Sequence, residues 1–512
     1  MITQLQTVHA GSFHATASTL PPVKQAHSFR GPALAGFLAA LALGGCTVGP
    51  DFSAPARPTE QAYLADPKTE LGQAGTGEIE QRLALGTTLR SDWWTSMGSA
   101  TLNQTVSLAL DKNKTLEVAR AHLAKAGEQV AVERGSLYPQ VDAAGGIARR
   151  QYGASFLGPE AYSFPAFSAY TGGVSVNYDL DVFGDNHRRI ELAAADAQVS
   201  AETLNAARLA VAGDTVMAAL RIASTRAQID VVQNVIESDQ ENLKLVRTAN
   251  GSGVASQIDV TTAQSQLDRD RALLPPLHQQ LAASEDALTI LVGKSPSAWQ
   301  APAFSLAEMT LPRNIPLAVP SELVRARPDI RAAEAQLHAA NAAVGVATAD
   351  LYPKITLSAE VADEGLTSGP SGAAWSLLGG LTAPIFHGGS LEANRRGAQD
   401  AYDAAFAQYQ QTVLAAFQQV ADNIHGLSNA ADAVNAEQQA LDSAGAALRL
   451  ARLGYGVGTA GIVQVLDAQR LQQLAELNLV QARTRRYAQT VSLFLAAGGG
   501  IPDPAPEVAS AK

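Results

Sequence analysis

The chain has 512 residues, of which 37 are lysine or arginine and 48 are aspartate or glutamate, giving a formal net charge of −11. This acidic balance argues against a nucleic acid partner, and a single cysteine excludes internal disulfides and thiolate metal sites. Only 17% of the residues are charged and 5% are aromatic, which is typical of long, closely packed helices.

The first part of the chain has the layout of a secretory signal peptide. Lys24 and Arg30 precede an uninterrupted apolar run over residues 33–43, and the first acidic residue is Asp51. As a helix this run spans about 16 Å, roughly half of a bilayer core, so it is too short for a permanent membrane span. The sequence therefore predicts a signal peptide over residues 1–45.

Cys46 follows this run directly. The stretch Leu43-Gly44-Gly45-Cys46 resembles the lipobox of bacterial lipoproteins, in which the cysteine becomes the lipidated first residue of the mature protein. The resemblance implies an N-acyl and S-diacylglycerol lipid on Cys46 and no other cofactor. Thr47 in place of aspartate implies sorting to the outer membrane. An ordinary cleaved signal with an incidental cysteine is the alternative.

Two landmarks recur along the chain and indicate one duplicated unit. Leu137-Tyr138-Pro139 returns as Leu351-Tyr352-Pro353, and residues 247–264 return as 452–469. The predicted segments are an N-terminal anchor segment over 46–100, repeat 1 over 101–292, an inter-repeat segment over 293–320, repeat 2 over 321–497 and a tail over 498–512.

The sequence of each copy predicts the same order of helices and strands. A helical stretch ends at Tyr-Pro, because proline disfavours a helix at the residue before it. Two strands follow, and then a very long helix of nearly 60 residues or about 90 Å. A Gly-x-Gly turn leads into a returning helix, which Pro275-Pro276 should break in the first copy. The predicted helices are 102–137, about 187–249 and 256–291 in copy one, and 321–351, about 391–453 and 462–496 in copy two.

The strand segments alternate apolar and polar side chains. Over 354–361, apolar residues at the odd positions alternate with Lys, Thr, Ser and Glu, and similar patterns occur over 170–179 and 375–385. The segment 141–147 is weaker and rich in glycine. Alternation over about 10 residues is typical of transmembrane barrel strands, although a half-buried soluble hairpin gives the same pattern. The lipid anchor favours the barrel.

Four strands per chain cannot close a barrel, and an open sheet edge is not tolerated in lipid. Two chains supply eight strands, which leave an interior filled by side chains, whereas the twelve strands of three chains leave room for a pore. A transport role therefore favours a trimer.

Residues 327–346, RPDIRAAEAQLHAANAAVGV, closely resemble a signature of the TolC-like outer membrane factors, the outer-membrane channels of tripartite efflux systems, and of their NodT-type lipoprotein branch. Further matching stretches are CTVGPDF at 46–52, WW at 93–94, YDLDVFG at 178–184, LTAPIFHGG at 381–389 and VLDAQR at 465–470. Together these motifs span nearly the whole mature chain in order.

The resemblance implies an α+β membrane protein. In such a protein, a homotrimeric outer-membrane β-barrel, with four strands per chain, continues as a long periplasmic α-helical barrel. The resemblance also implies an equatorial belt, formed here by 46–100, by the inter-repeat segment 293–320 and by the tail 498–512. The implied function is that of a passive exit duct for small molecules such as drugs or other toxic compounds. The implied partners are a periplasmic membrane-fusion adaptor and an inner-membrane pump, and the implied location is the outer membrane, with a lipid anchor and an extension into the periplasm.

The resemblance also assigns a gate. The turns at Gly251 and Gly253 and at Gly456 and Gly458 would lie at the periplasmic tips and meet the adaptor. Val463, Asp467 and Arg470 match the apolar, aspartate and arginine positions of the family's constriction, and their i, i+4, i+7 spacing places them on one helix face. Threefold symmetry would make Asp467 a ring of three carboxylates. The alternative is a surface ion pair between Asp467 and Arg470. Copy one has Thr262 at the position of Asp467.

No motif for catalysis or metal binding is present. The six histidines after the predicted signal are scattered, without His-Glu-x-x-His spacing, and there is no Walker loop, Gly-x-Ser-x-Gly elbow or Rossmann fingerprint. The chain is therefore expected not to be an enzyme. The alternatives to an efflux duct are a lipid-anchored periplasmic helical scaffold or adaptor and the outer-membrane channel of a type I secretion system.

Overall fold

The computed structural model describes residues 47–66, 71, 79–151 and 165–500. The predicted signal peptide over 1–45, the predicted lipid attachment at Cys46 and residues 501–512 of the predicted tail lie outside the described residues. All the described residues belong to one structural unit.

Two helices, rather than one, precede each pair of long strands. They are α1 (Ala100–Lys112) and α2 (Lys114–Gly135) in the first half, and α6 (Pro320–Ala326) and α7 (Pro328–Ala349) in the second. Pro328 explains the second break, because a residue before proline avoids the helical region. Asn113 explains the first, because its side chain caps α2 by accepting from the backbone N–H groups of Thr115 and Leu116.

The two long helices are α3 (Asp185–Gly251) and α8 (Ser390–Gly456), and each contains 67 residues. At 1.5 Å per residue each is about 100 Å long, and their bounds agree with the predicted ones to within a few residues. Among the described residues, no helix is both long enough and apolar enough to cross a membrane.

The returning helices differ between the two halves. The first is divided into α4 (Gln257–Arg271) and α5 (Leu274–Leu291), with Pro275-Pro276 in the first turn of α5. Proline is tolerated there because the first N–H groups of a helix have no internal partner. The second, α9 (Ile462–Ala496), is one continuous helix of 35 residues. The predicted break by the proline pair is confirmed.

The long strands form one antiparallel sheet in the order β2 (Gln140–Arg150), β3 (Phe167–Asp179), β5 (Lys354–Leu366) and β6 (Ser371–Thr382). The register sets Val141, Val176, Ala359 and Leu377 in one row across the four strands. A residue and its partner in an antiparallel pair point to the same face, so the apolar positions of all four strands share one face.

This apolar face is not covered by other described parts of the chain. Ile147 is 79% exposed, Trp375 79% and Leu377 75%. The prediction is wrong for Ile385, which lies beyond the end of β6 at Thr382. Pro384 between them has no N–H to continue the ladder.

A short parallel pair, β1 (Arg82–Leu85) and β4 (Asn314–Leu317), joins the segment before α1 to the segment between α5 and α6. Beside it lies the largest apolar core, which includes Trp93, Met97 and Phe304 together with Phe494 near the end of α9. This middle part of the molecule therefore ties both halves together, while the sheet and the helix tips extend away from it.

Candidate functional site

The two tip turns have the same backbone structure. In the first, the Val254 N–H donates to the Ala249 carbonyl at 2.9 Å, and in the second the Thr459 N–H donates to the Gly454 carbonyl at 2.8 Å. These bonds satisfy carbonyls that the last helical turn leaves without partners.

Only the second glycine of each turn adopts a left-handed backbone. Gly253 and Gly458 both have φ of 78°, a conformation that L residues other than glycine rarely adopt. Gly251 and Gly456 are instead the last residues of α3 and α8. The four glycines therefore hold two different structural roles.

The helices that follow the turns begin differently. Ser256 and Asp259 form a reciprocal capping box at the start of α4, with the Ser256 side chain accepting from the Asp259 N–H. At the start of α9, Gly461 supplies no side-chain cap. The first turn of α9, which carries the predicted gate, is therefore held less firmly than its counterpart in the first half.

The predicted gate residues lie on one exposed face of α9. Val463 is 48% exposed, and Asp467 and Arg470 are exposed as well. Between them, Val465 and Leu466 are buried in an apolar cluster with α3 and α4. The prediction that the three residues share one helix face is confirmed, while their role as a gate stays a prediction.

The alternative of an intrahelical ion pair is not realised. Among the described residues, no salt bridge joins Asp467 to Arg470 or to another cation. At the corresponding position of α4, the half-buried Thr262 donates to the Ile258 carbonyl. The two halves of the tip therefore differ in charge at this level.

A buried polar network lies directly behind the gate face. Gln469, next to Arg470, donates to Asp239 of α3 at 2.7 Å and accepts from Asn242 at 2.6 Å. One turn further along α9, Gln473 donates to Asp270 of α4 at 3.2 Å. Sequence reasoning missed this network, because its members lie far apart in the chain and helical periodicity identifies a buried face without identifying its partner.

The two carboxyl groups of the network lie against each other. Burial, a hydrogen bond with Asp270 and its negative charge raise the pKa of Asp239 to about 7, while the Gln469 amide acts in the opposite direction. A proton on one of the two carboxyl groups would remove the repulsion between them.

The first described residues form a strap, residues 47–52, that lies where the sheet meets the helices. Arg188 near the start of α3 is 4% exposed and donates to the carbonyls of Val48 and Gly49 and to the Asp51 carboxylate. Gly345 of α7 lies so close to Gly49 that a Cβ on Gly49 would be 2.6 Å from its Cα. The strap therefore needs glycine at this crossing.

The signature stretch 327–346 makes long-range contacts along its length. Arg327 donates to the Ala496 carbonyl at the end of α9 at 2.7 Å, and Arg331 pairs with the buried Glu202 of α3 at 2.6 Å. His338 stacks on Phe52 at 4.3 Å, and Asn341 donates to the Pro50 carbonyl. These residues hold the strap, α3 and α9 together. No group of three potential metal ligands is found in the described part of the chain.

Comparison with known proteins identifies the family. The family model described as "Outer membrane efflux protein" matches residues 105–294 and 319–499. Outer membrane protein OprJ of Pseudomonas aeruginosa is 31% identical, over 90% of this chain and 95% of its own length. Toluene efflux pump outer membrane protein TtgF of Pseudomonas putida is 29% identical, with coverage of 90% and 95%. The solved structure of the outer-membrane channel OprN aligns with a TM-score of 0.78 at 26% identity and covers 89% of this chain and 99% of OprN. The family model matches two segments that together make up most of the chain, and OprJ is similar over nearly its full length. These matches, together with the fold, show that the chain belongs to the outer membrane efflux protein family.

Proposed function

We propose that three copies of this chain form the passive exit duct of a tripartite efflux system in the outer membrane. The observation that carries the proposal is the four-stranded sheet, whose apolar face is exposed and which continues into two helices of 67 residues. Family membership confirms the predicted efflux function and the prediction that the chain is not an enzyme.

The edges of the sheet support assembly. β2 and β6 each pair with one neighbour only in the described part of the chain, so each has a free edge whose N–H and C=O groups have no partner in lipid. Closure through β2 of one copy and β6 of the next satisfies both edges. Three copies give twelve strands, enough for an open interior, whereas eight are filled by side chains.

The strap supports a lipid anchor beside the membrane. The Val48 N–H donates to the Phe183 carbonyl, just after β3, at 3.1 Å, so the strap begins at the end of the sheet that meets the helices. A lipid on the preceding residue, Cys46, followed by Thr47, would then enter the leaflet from which the strands rise. Several acyl chains on one residue give stable anchoring.

The tips support contact with a periplasmic adaptor, itself held by an inner-membrane pump. Val254 and Val457, beside the left-handed glycines, are 83% and 75% exposed. Exposed apolar side chains grouped at one end of a molecule mark an interaction site. Because TtgF is named as part of a toluene efflux pump, we propose small molecules as the cargo.

In the trimer, Asp467 and Arg470 close the duct. Both are exposed, and neither pairs with the other within the described chain, so Arg470 of each copy is free to pair with Asp467 of the next. The three carboxylates repel one another unless such cations compensate them. Removing either partner therefore loosens the closed ring.

Single-channel conductance in planar bilayers tests the proposal. Wild-type protein should conduct poorly, and both Asp467→Ala and Arg470→Ala should raise the conductance. Thr262→Ala, at the equivalent position of α4, is the matched control and should not change it. Stable conductance that neither gate variant alters would refute the gate while keeping the channel. Absence of both conductance and a heat-resistant trimer in detergent would instead favour the scaffold.

A further inference from the structure

We propose that the buried carboxyl pair of Asp239 and Asp270 is a proton-operated latch that holds the gate-bearing start of α9 against α3 and α4. The latch rests on the proposed function, because it acts on the helix that carries the proposed gate. Its parts lie on the consecutive helices α3 and α4 and on α9, which is distant in sequence but adjacent in space.

The burial of the pair favours a bound proton. Asp239 is 1% exposed and Asp270 4%, and the Asp270 carboxyl group lies close enough to raise the pKa of Asp239. Asp239 Oδ1 accepts from Gln469, whereas Oδ2 is buried and has no donor among the described residues. A buried acceptor without a donor is costly. A proton on the pair removes this cost and supplies the missing hydrogen.

Within the described part of the chain, no cation pairs with the two carboxyl groups in place of that proton. Asp239 faces Gln469 from α9, and Asp270 faces Gln473 from α9 and Gln266 from its own helix. The two arginines beside Asp270 in sequence are directed elsewhere, Arg269 to the Ser265 carbonyl and Arg271 to Asp268 at 3.7 Å. No salt bridge in the described part of the chain reaches either member of the pair.

The pair controls α9 through two amides. Gln469 and Gln473 are four residues apart, so they lie on the same face of α9, and each donates to one carboxyl group of the pair. Asp467 and Arg470 lie on the exposed face of the same part of α9. A change in the distance between the two carboxyl groups therefore acts on the helix segment that carries both charges of the gate.

Loss of the proton places two negative charges in contact within a buried site, and like charges at this distance repel strongly. Separation of α3 and α4 relieves this repulsion. It also moves apart the two carboxyl groups that accept from Gln469 and Gln473. Because Gly461 gives α9 no side-chain cap, its first turns are the part that yields. The segment is thus held at acidic pH and released as the pH rises through neutrality.

Hydrogen exchange of the full-length protein in detergent tests the latch without reference to transport. After correction for intrinsic exchange, protection of amides over 462–473 should fall about tenfold or more between pH 6 and pH 8.5 in the wild type. In Asp239→Asn, whose amide donates like a protonated carboxyl, the protection should stay constant. Asp270→Asn provides the same test if the first variant folds poorly. Asp268→Asn, an exposed neighbour on α4, is the control and should keep the wild-type profile.

Infrared absorption and conductance complete the test. A protonated carboxyl band should be present at pH 6, disappear by pH 8.5 and be absent in Asp239→Asn. Conductance should rise over the same interval in the wild type alone. Protection that does not depend on pH in the wild type, or that still depends on it in both asparagine variants, would overturn the latch. Coupling to the gate is refuted if exchange responds to pH and conductance does not. If neither the wild type nor the variants conduct, the proposed function is refuted, whereas the hydrogen-exchange result still tests the latch.

Discussion

The two glycines of each tip turn should respond to alanine in opposite directions. Gly253 has φ of 78°, whereas Gly251 is the last residue of α3, and a Cβ at either position meets nothing within 4 Å. The effect of each substitution therefore arises from the backbone alone, which makes its sign and size calculable.

Alanine at position 253 must adopt a left-handed conformation, which costs an L residue about 1–2 kcal/mol. Alanine at position 251 avoids that cost and removes the entropy that glycine loses in a helix, a gain of roughly 0.5–1 kcal/mol. The two variants should therefore differ in local stability by about 2 kcal/mol, which is roughly a thirtyfold difference in the opening equilibrium.

Exchange of the Val254 amide reports this equilibrium, because its N–H is bonded to the Ala249 carbonyl across the turn. Gly253→Ala should accelerate its exchange about fivefold to thirtyfold, and Gly251→Ala should slow it. Gly458→Ala and Gly456→Ala should repeat this contrast at Thr459. Changes of the same sign in both members of a pair would refute the assignment of different backbone roles.

Two further outcomes follow from the buried charges. The raised pKa of Asp239 means that the folded chain binds more protons than the unfolded chain between about pH 4 and pH 7, so stability should fall as the pH rises through this range, by at most about 4 kcal/mol. Denaturation midpoints at pH 5 and pH 8 should differ in the wild type and coincide in Asp239→Asn; equal midpoints in the wild type would contradict this. Arg188→Met removes charged hydrogen bonds to the strap, each worth about 1.5–3 kcal/mol, so limited proteolysis should cut within 47–52 faster than in the wild type, with Arg189→Met as the control.

Much of the fold follows from local rules in the sequence. Pro275-Pro276 marks a predicted helix boundary, the Gly-x-Gly pairs mark both turns, and strict alternation marks the strands. The break before Pro328 also follows from a local rule, although the predicted helix over 321–351 runs through it. Asn113 is the exception, because an asparagine within a helical pattern divides it only where its side chain finds free N–H groups.

The candidate site was predictable in part. Helical spacing alone places Val463, Asp467 and Arg470 on one face, and the structure agrees. Spacing does not reveal that the buried face of the same part of α9 meets Asp239 and Asp270, because those contacts depend on how separate helices cross. The anchoring of the strap by Arg188 was missed for the same reason.

The continuity of α9 gives it the mechanics of a lever. Arg327 fixes its far end through the Ala496 carbonyl, and its 35 residues extend about 50 Å from that point to the first turn. A rotation of about 6° about the fixed end displaces the first turn by roughly 5 Å, close to the rise of one helical turn. The first returning helix is interrupted between Arg271 and Leu274, so it is less suited to transmit such a rotation. Of the two returning helices in each chain, α9 is thus the one whose tip moves furthest for the smallest change at the middle of the molecule.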